Sequence, residues 1–126
     1  MPQLIQPGSG ESRWIVACLC AAWCDTCRDY QVALKRLAEH HAAEAFVWVD
    51  IEDDSDWVGD LDIENFPTLL ISRDGDPHFF GTVLPHIEQL AMLVASVKAN
   101  DAALRAPEED LQQLAARIRA EILEQT

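Results

Sequence analysis

Basic residues are scarce in this chain. Nine Lys and Arg stand against 22 Asp and Glu, giving a net charge of −13. A surface of that sign repels nucleic acid and anionic membrane, so neither is expected as a partner. Long apolar runs are absent too. No stretch approaches the roughly eighteen residues a membrane-spanning helix needs. Residues 1–12 hold neither a basic start nor a hydrophobic run, so no secretory signal is read there. There is no internal repeat and no low-complexity tract. No Ser-His-Asp arrangement, phosphate-cradling loop or metal-protease motif is visible. Cysteine is limited to four residues, too few for a disulfide-stapled scaffold of this length. Their clustering in a chain without a signal points to redox or metal chemistry, with a reducing cytoplasm as the expected compartment.

What is present is a globular composition. At 126 residues and 49% apolar, the chain can bury one core, and a single domain is expected. Residues 1–13 read as a loose arm broken by Pro2, Pro7, Gly8 and Gly10, with Gln3–Gln6 as a possible edge strand. Trp14 to Cys20 is a continuous apolar run, the signature of a strand buried on both faces. From Asp25 to about His41 the pattern turns helical. Tyr30, Ala33, Leu34, Leu37 and Ala38 form one stripe, opposite Arg28, Gln31, Lys35 and Glu39. Ala45 to Ile51 is a second buried strand.

Ser55 opens a short helix reaching Asp60, and Pro67 to Ser72 reads as a third strand. Arg73-Asp74-Gly75-Asp76 forms a hairpin turn in which Gly75 is free to take positive φ, and His78 to Phe80 pairs back as far as Gly81. A helix from His86 to about Ala99 buries Ile87, Leu90, Val94 and Val97. Pro107 suits the first position of a last helix, with Leu111, Leu114, Ile118 and Ile122 as its stripe. The order β-α-β-α-β-β-α-α places a parallel crossover pair and an antiparallel hairpin in one mixed sheet, with helices on both faces.

The chemistry concentrates at Trp23-Cys24-Asp25-Thr26-Cys27, between the first apolar strand and the helix. Two thiols at this spacing can close a small disulfide ring on a helix's first turn. The free N–H groups and positive dipole end there favour a thiolate, which makes Cys24 the natural nucleophile. Half of a zinc site has the same spacing. The strand before the motif, the helix after it, and Phe66-Pro67-Thr68 some forty residues on argue for the redox reading.

Taken together, Ala22-Trp23-Cys24-x-x-Cys27, Asp50-Ile51, Phe66-Pro67-Thr68 and Gly81 resemble a thioredoxin-fold protein over residues 14–100. The resemblance implies an α/β thioredoxin fold, a central mixed β-sheet flanked by helices. It implies that Cys24 attacks a substrate disulfide and Cys27 resolves the mixed disulfide. It also implies a cis Pro67, with the Phe66 backbone beside Cys24 as a ledge for an extended substrate. Protein disulfides would be the substrates, and a reductase or small thiols would supply electrons. Thiolate attack needs no organic cofactor, and no metal is required. The chain then divides into an arm (1–13), the thioredoxin-like domain (14–100) and a C-terminal helical extension (101–126). Monomer and weak dimer both remain open.

Four departures from the family pattern matter. Asp25-Thr26 replaces the usual Gly-Pro; Asp25 sets a negative charge beside the Cys24 thiolate, and Thr26 adds a hydroxyl donor. Cys18 stands where redox-active relatives carry a buried carboxylate, and Trp48 where its lysine partner would be, so the polar pair that moves a proton is replaced by an apolar one. The N-terminal β-α unit is truncated, which leaves one flank of the sheet barer. The extra C-terminal helix either covers that flank or mediates dimer formation.

Other residues carry more than one reading. Cys18 and Cys20 lie two apart on a strand and face the same side, where core packing is the first expectation. A reserve disulfide with the active pair and a zinc site built from all four cysteines are the alternatives. Trp23 and Phe66 either offer substrate an apolar platform or simply pack. Trp14, Trp48 and Trp57 are expected in the core or its flank. Eight of the acidic residues fall between Asp50 and Glu64; they serve solubility, or, beside the active site, attract basic partners. The run Asp50, Glu52, Asp53, Asp54, Asp56 lacks the central glycine and closing glutamate of a calcium loop. His40 and His41 end a helix, and His78 and His86 show no partner pattern. The expected function is thiol–disulfide exchange, with a binding or assembly-factor module on the same fold as the competing class. A zinc-stabilised domain is a third.

Overall fold

The computed structural model describes residues 1–8, 13–41 and 43–124. Gly10, one of the expected chain breakers, lies outside the described residues. Among the described residues five strands form one sheet in the order β1-β3-β2-β4-β5. They are β1 (Gln3–Gln6), β2 (Trp14–Cys20), β3 (Ala45–Asp50), β4 (Thr68–Arg73) and β5 (Asp76–Thr82). The helices are α1 (Asp25–His40), α2 (Ser55–Val58), α3 (Ile87–Asn100) and α4 (Glu109–Arg117), and α4 continues as a π-helical segment, Ile118–Leu123. β2 pairs parallel with β3 across the α1 crossover and antiparallel with β4, and β4 and β5 form the hairpin. β1 fills the far edge, antiparallel to β3.

The seven apolar residues of β2 are explained by its central place: six are buried, because both faces of the sheet are covered. Its period-2 alternation sends Ile15, Ala17 and Leu19 into one cluster and Val16, Cys18 and Cys20 into the other. The Val16 side packs against α1 and α3 through Cys27, Tyr30, Leu34, Leu90 and Val94. The Ile15 side is roofed by Trp57 and Val58 of α2 and by Leu111, Leu114, Ile118 and Ile122 of the C-terminal helix. Of the two roles open to that extension, covering the sheet is the one its burial supports. Asp110 on α4 accepts the Asp60 backbone N–H at 2.9 Å, and the Arg117 guanidinium lies 3.8 Å from the centre of the Trp57 ring.

At the hairpin, Asp74 and Gly75 take φ of 53° and 86°, the two positive values a two-residue turn of this twist requires. Arg13 clamps that turn, its Nε donating to Asp74 Oδ1 at 3.0 Å.

Three expectations are corrected. α2 stops at Val58 rather than Asp60, because Gly59 swings to a positive φ of 64° beside Asp110. Pro107 precedes the last helix instead of opening it: Glu108 is still extended (ψ 147°), so α4 starts at Glu109. His78 does have partners. Its Nε2 lies 3.2 Å from Asp101 and its ring meets Trp14 edge-on at 4.9 Å, contacts that local sequence could not show because they cross from β5 to the end of α3 and to β2. No helix of the described residues is long and apolar enough to cross a membrane.

Candidate functional site

The site lies where β2 gives way to α1. Cys24 sits at the N-cap of α1 with extended geometry (φ −88°, ψ 118°), and its carbonyl accepts the Arg28 N–H at 3.1 Å as the first bond of the helix. A tight turn leads in, with the Cys24 N–H donating to the Ala21 carbonyl at 3.1 Å. Cys24 is half-buried, whereas Cys27, one turn on, has no exposed surface. Residues three apart share a helix face, so the motif sets Cys24 at the rim and Cys27 in the floor.

The floor holds a further sulfur. Cys27 is disulfide-bonded to Cys20, the last residue of β2, with Cα atoms 5.8 Å apart, and the Cys24 thiol is free. This corrects the core-packing expectation for Cys20 and realises the alternative of a bond to the active pair. The cause is strand alternation: Cys20 points to the face on which α1 lies, and Cys27 is the first buried residue of that helix. Both sulfurs of that bond are engaged with each other, not gathered with Cys18 and Cys24 as a zinc site would need. Cys18 shares the face, fully buried and free. It pairs in register with Trp48 on β3 and Leu69 on β4. Burial alone pushes its thiol far above the ordinary range, so it stays neutral near neutral pH. Tyr30, in the same cluster, buries its hydroxyl without a hydrogen-bond partner among the described residues, and that burial, with Cys18 adding to it, raises its phenol strongly.

Around the rim stand the other expected residues. Trp23 is 61% exposed and meets Phe66 edge-to-face with ring centres 5.7 Å apart. Phe66 and Cys24 both pack against the cluster that holds Cys20 and Cys27. The Phe66–Pro67 peptide is cis, and the Pro67 carbonyl accepts the Val83 N–H at 3.0 Å. Thr68 anchors this corner, its hydroxyl donating to the Asn65 carbonyl at 2.7 Å. Asp25 and Thr26 are exposed on the first turn. Asp25 is ion-paired with Arg28, which also donates to the Ala22 carbonyl at 3.1 Å, so the carboxylate beside Cys24 is answered by a guanidinium one turn away. That pairing is the ordinary i,i+3 geometry of a helix.

With this geometry in place, comparison with known proteins decides the family. The thioredoxin family profile matches residues 6–98. The chain belongs to the thioredoxin family. It is 25% identical over 79 residues to Thioredoxin Asp f 28 of Aspergillus fumigatus, covering 63% of this chain and 73% of that protein. It is 33% identical over 64 residues to the TPR repeat-containing thioredoxin TDX of Arabidopsis thaliana (51% of this chain, 17% of that one). Against Thioredoxin-1 of Caenorhabditis elegans it is 30% identical over 56 residues, 44% of this chain and 49% of the relative. Among solved structures, a mutant thioredoxin from Halobacterium salinarum superposes with a TM-score of 0.60 at 21% identity, covering 77% of this chain and 80% of the other. Fasciola hepatica thioredoxin gives 0.61 at 21% identity over 68% and 81%. These structural likenesses establish the fold. This thioredoxin-family chain departs from its profile at the C-terminus, where α4 and the π-helical segment lie beyond the matched residues and still supply one of the two core clusters with Leu111, Leu114, Ile118 and Ile122.

The acidic segment after β3 does border the site. The Trp23 indole N–H donates to the Glu52 carboxylate, and the Ile51 N–H donates to the Cys20 carbonyl at 2.9 Å. A groove of about 380 Å³ beside the motif is lined by Ala21, Ala22, Arg28, Asp50 and Asp53 among others. Two acidic residues also organise the loop. Asp50 accepts the N–H groups of Glu52 and Asp53, and buried Asp54 accepts that of Asp50 at 3.0 Å. Sequence reasoning pointed to the motif, Phe66 and Pro67 as candidates. It missed the Glu52–Trp23 link, which joins loops 29 residues apart, and the Asp25–Arg28 pair, which the i,i+3 spacing signalled.

Proposed function

We propose that this protein is a thiol–disulfide oxidoreductase acting on protein disulfides, with Cys24 as nucleophile and Cys27 as resolving thiol. The observation that carries the reading is the placement of the sulfurs: Cys24 half-exposed at a helix N-terminus, and Cys27 buried one turn behind it, already engaged in a disulfide. Starting from the fully reduced protein, in which the Cys20–Cys27 bond has been opened by the electron donor, the Cys24 thiolate attacks one sulfur of the substrate disulfide and expels the other as a thiolate. The Cys27 thiolate then attacks the Cys24 sulfur, releases the reduced substrate and closes the Cys24–Cys27 bond. Positive helix-end potential supports the attacking anion. Trp23 and Phe66 give the substrate an apolar ledge, and the Phe66 backbone at Pro67 offers it strand-like pairing. The carboxylates of the adjoining groove favour substrates with basic surfaces. A reductase or small thiol supplies electrons, and a reducing compartment such as the cytoplasm suits a cycling pair.

One observation favours a second reading, a binding or assembly-factor module. Cys18 and Trp48 stand side by side in register beneath the motif, a buried neutral thiol and an indole, which make a poor pair for moving a proton during resolution. Reduction of insulin disulfides by the wild type and by Cys24→Ser separates the two. Oxidoreductase function requires the variant to lose at least about a hundredfold in rate, as expected when a nucleophile is removed. Equal rates support the binding module.

A further inference from the structure

We propose that Cys20 is a third member of the redox centre: it takes the disulfide over from Cys24 and stores it as the buried Cys20–Cys27 bond. The proposal rests on Cys24 being the attacking sulfur and goes beyond the two-cysteine exchange described above. Three observations carry it. Cys27 is bonded to Cys20 and not to Cys24. Neither Cys20 nor Cys27 exposes any surface, so an external thiol or disulfide cannot reach that bond directly. Cys24 is half-exposed and sits one helical turn from Cys27, so it is the sulfur through which the buried pair communicates with solvent.

The step balances without an added oxidant. Substrate exchange leaves Cys24–Cys27 as a disulfide and Cys20 as a thiol. The Cys20 sulfur attacks Cys27; the Cys20–Cys27 bond forms and the Cys24–Cys27 bond breaks. Cys24 departs as the thiolate, and the Cys20 proton passes to it or to water. The two electrons already given to the substrate stay there, and only the position of the bond changes. Burial sets the direction. The apolar cluster around Cys20 and Cys27 accepts a neutral disulfide readily and a thiolate poorly, while Cys24 at the rim can hold charge against water and the helix end. The stored state therefore presents one free, accessible thiol with its resolving partner withdrawn. Return runs the other way: Cys24 attacks Cys27, frees Cys20 and re-exposes the Cys24–Cys27 bond to a reductant.

The end state can be mapped directly. Fully reduced protein is treated with one equivalent of glutathione disulfide, quenched in acid, alkylated and digested with trypsin and chymotrypsin. Cleavage after Trp23 separates Cys20 from the Cys24–Arg28 peptide. The expected product is a cross-link between the two peptides, with the alkyl group on Cys24 and fragmentation placing the link at Cys20. In Cys20→Ser the bond is instead internal to the Cys24–Arg28 peptide. In Cys24→Ser the Cys20–Cys27 link forms more than about tenfold more slowly, since its only accessible relay sulfur is gone. A wild-type end state with Cys24–Cys27 closed and Cys20 alkylated would overturn the proposal. So would a Cys20–Cys27 link that forms equally fast without Cys24, which would make it a structural staple. The wild-type and Cys24→Ser arms decide the matter if Cys20→Ser does not fold. Failure here with insulin reduction intact removes the relay alone, and the mapped relay stands on its own if insulin is not reduced.

Discussion

At the scale of single residues, position on a face decides chemistry. Cys18 and Cys20 are the same residue type, two apart on one strand and on one side of the sheet, yet one is an isolated buried thiol and the other is bonded. What separates them is depth along β2: Cys18 lies opposite Trp48 and Leu69, and Cys20 lies at the strand end, level with the start of α1. Charged residues show the same dependence on surroundings. The Arg13 fork at Asp74 holds that carboxyl below the usual carboxylate range, helped by Arg119 and Arg73. A pKa lowered on folding means stability that is present above the unfolded value of about 3.9 and is lost as pH falls through the folded value. Asp74→Asn keeps the turn, since Asn accepts positive φ. It should lower Tm modestly at pH 7, because the pair is largely exposed. The gap from wild type should close as pH drops below the carboxyl's range. A thermal-melt series across pH checks this; a gap that persists at low pH would show that the charge pair is not its source.

At the scale of elements, the C-terminal helix is structural cover. Leu114 has no exposed surface and sits among Leu19, Val47 and Trp57 in the cluster beneath β2 and β3. Leu114→Ala should cost about 2–5 kcal/mol, the range for a buried leucine truncated in a close-packed core. Urea denaturation would register it as a lower midpoint with unchanged slope. A loss under about 0.5 kcal/mol, as at an exposed site, would mean that the helix is not packed there. The elements themselves were legible where period and punctuation agreed. Seven successive apolar residues marked β2 as a central strand, and Asp74-Gly75 marked the hairpin. Element ends were less so. Gly59 ends α2 by taking a positive φ, and extended Glu108 delays α4 past Pro107. Both are backbone choices of a single residue, which a hydrophobic stripe does not encode.

At the scale of the whole molecule, the sheet brings distant segments to one corner. The α1 start, the loop after β3 and the turn before β4 meet there, so Trp23 touches both Glu52 and Phe66. The candidate site could be read from sequence as a motif with a proline ledge, because local spacing and the family pattern encode it. Which sulfur Cys27 bonds could not, since connectivity among four cysteines depends on how strand and helix are docked. The surplus of acid likewise acquires a location only in three dimensions, where Asp50, Asp53 and Asp54 line a groove beside the motif.

The central claim is that Cys24 is the sulfur that attacks, and one measurement addresses it most directly. Cys27→Ser, reduced and mixed with a protein disulfide, should accumulate a mixed disulfide, because the resolving sulfur is gone. Peptide mass mapping should place the partner on Cys24. A partner found on Cys20 or Cys18, or none on Cys24 under conditions where the wild type reduces the same protein, would contradict the account.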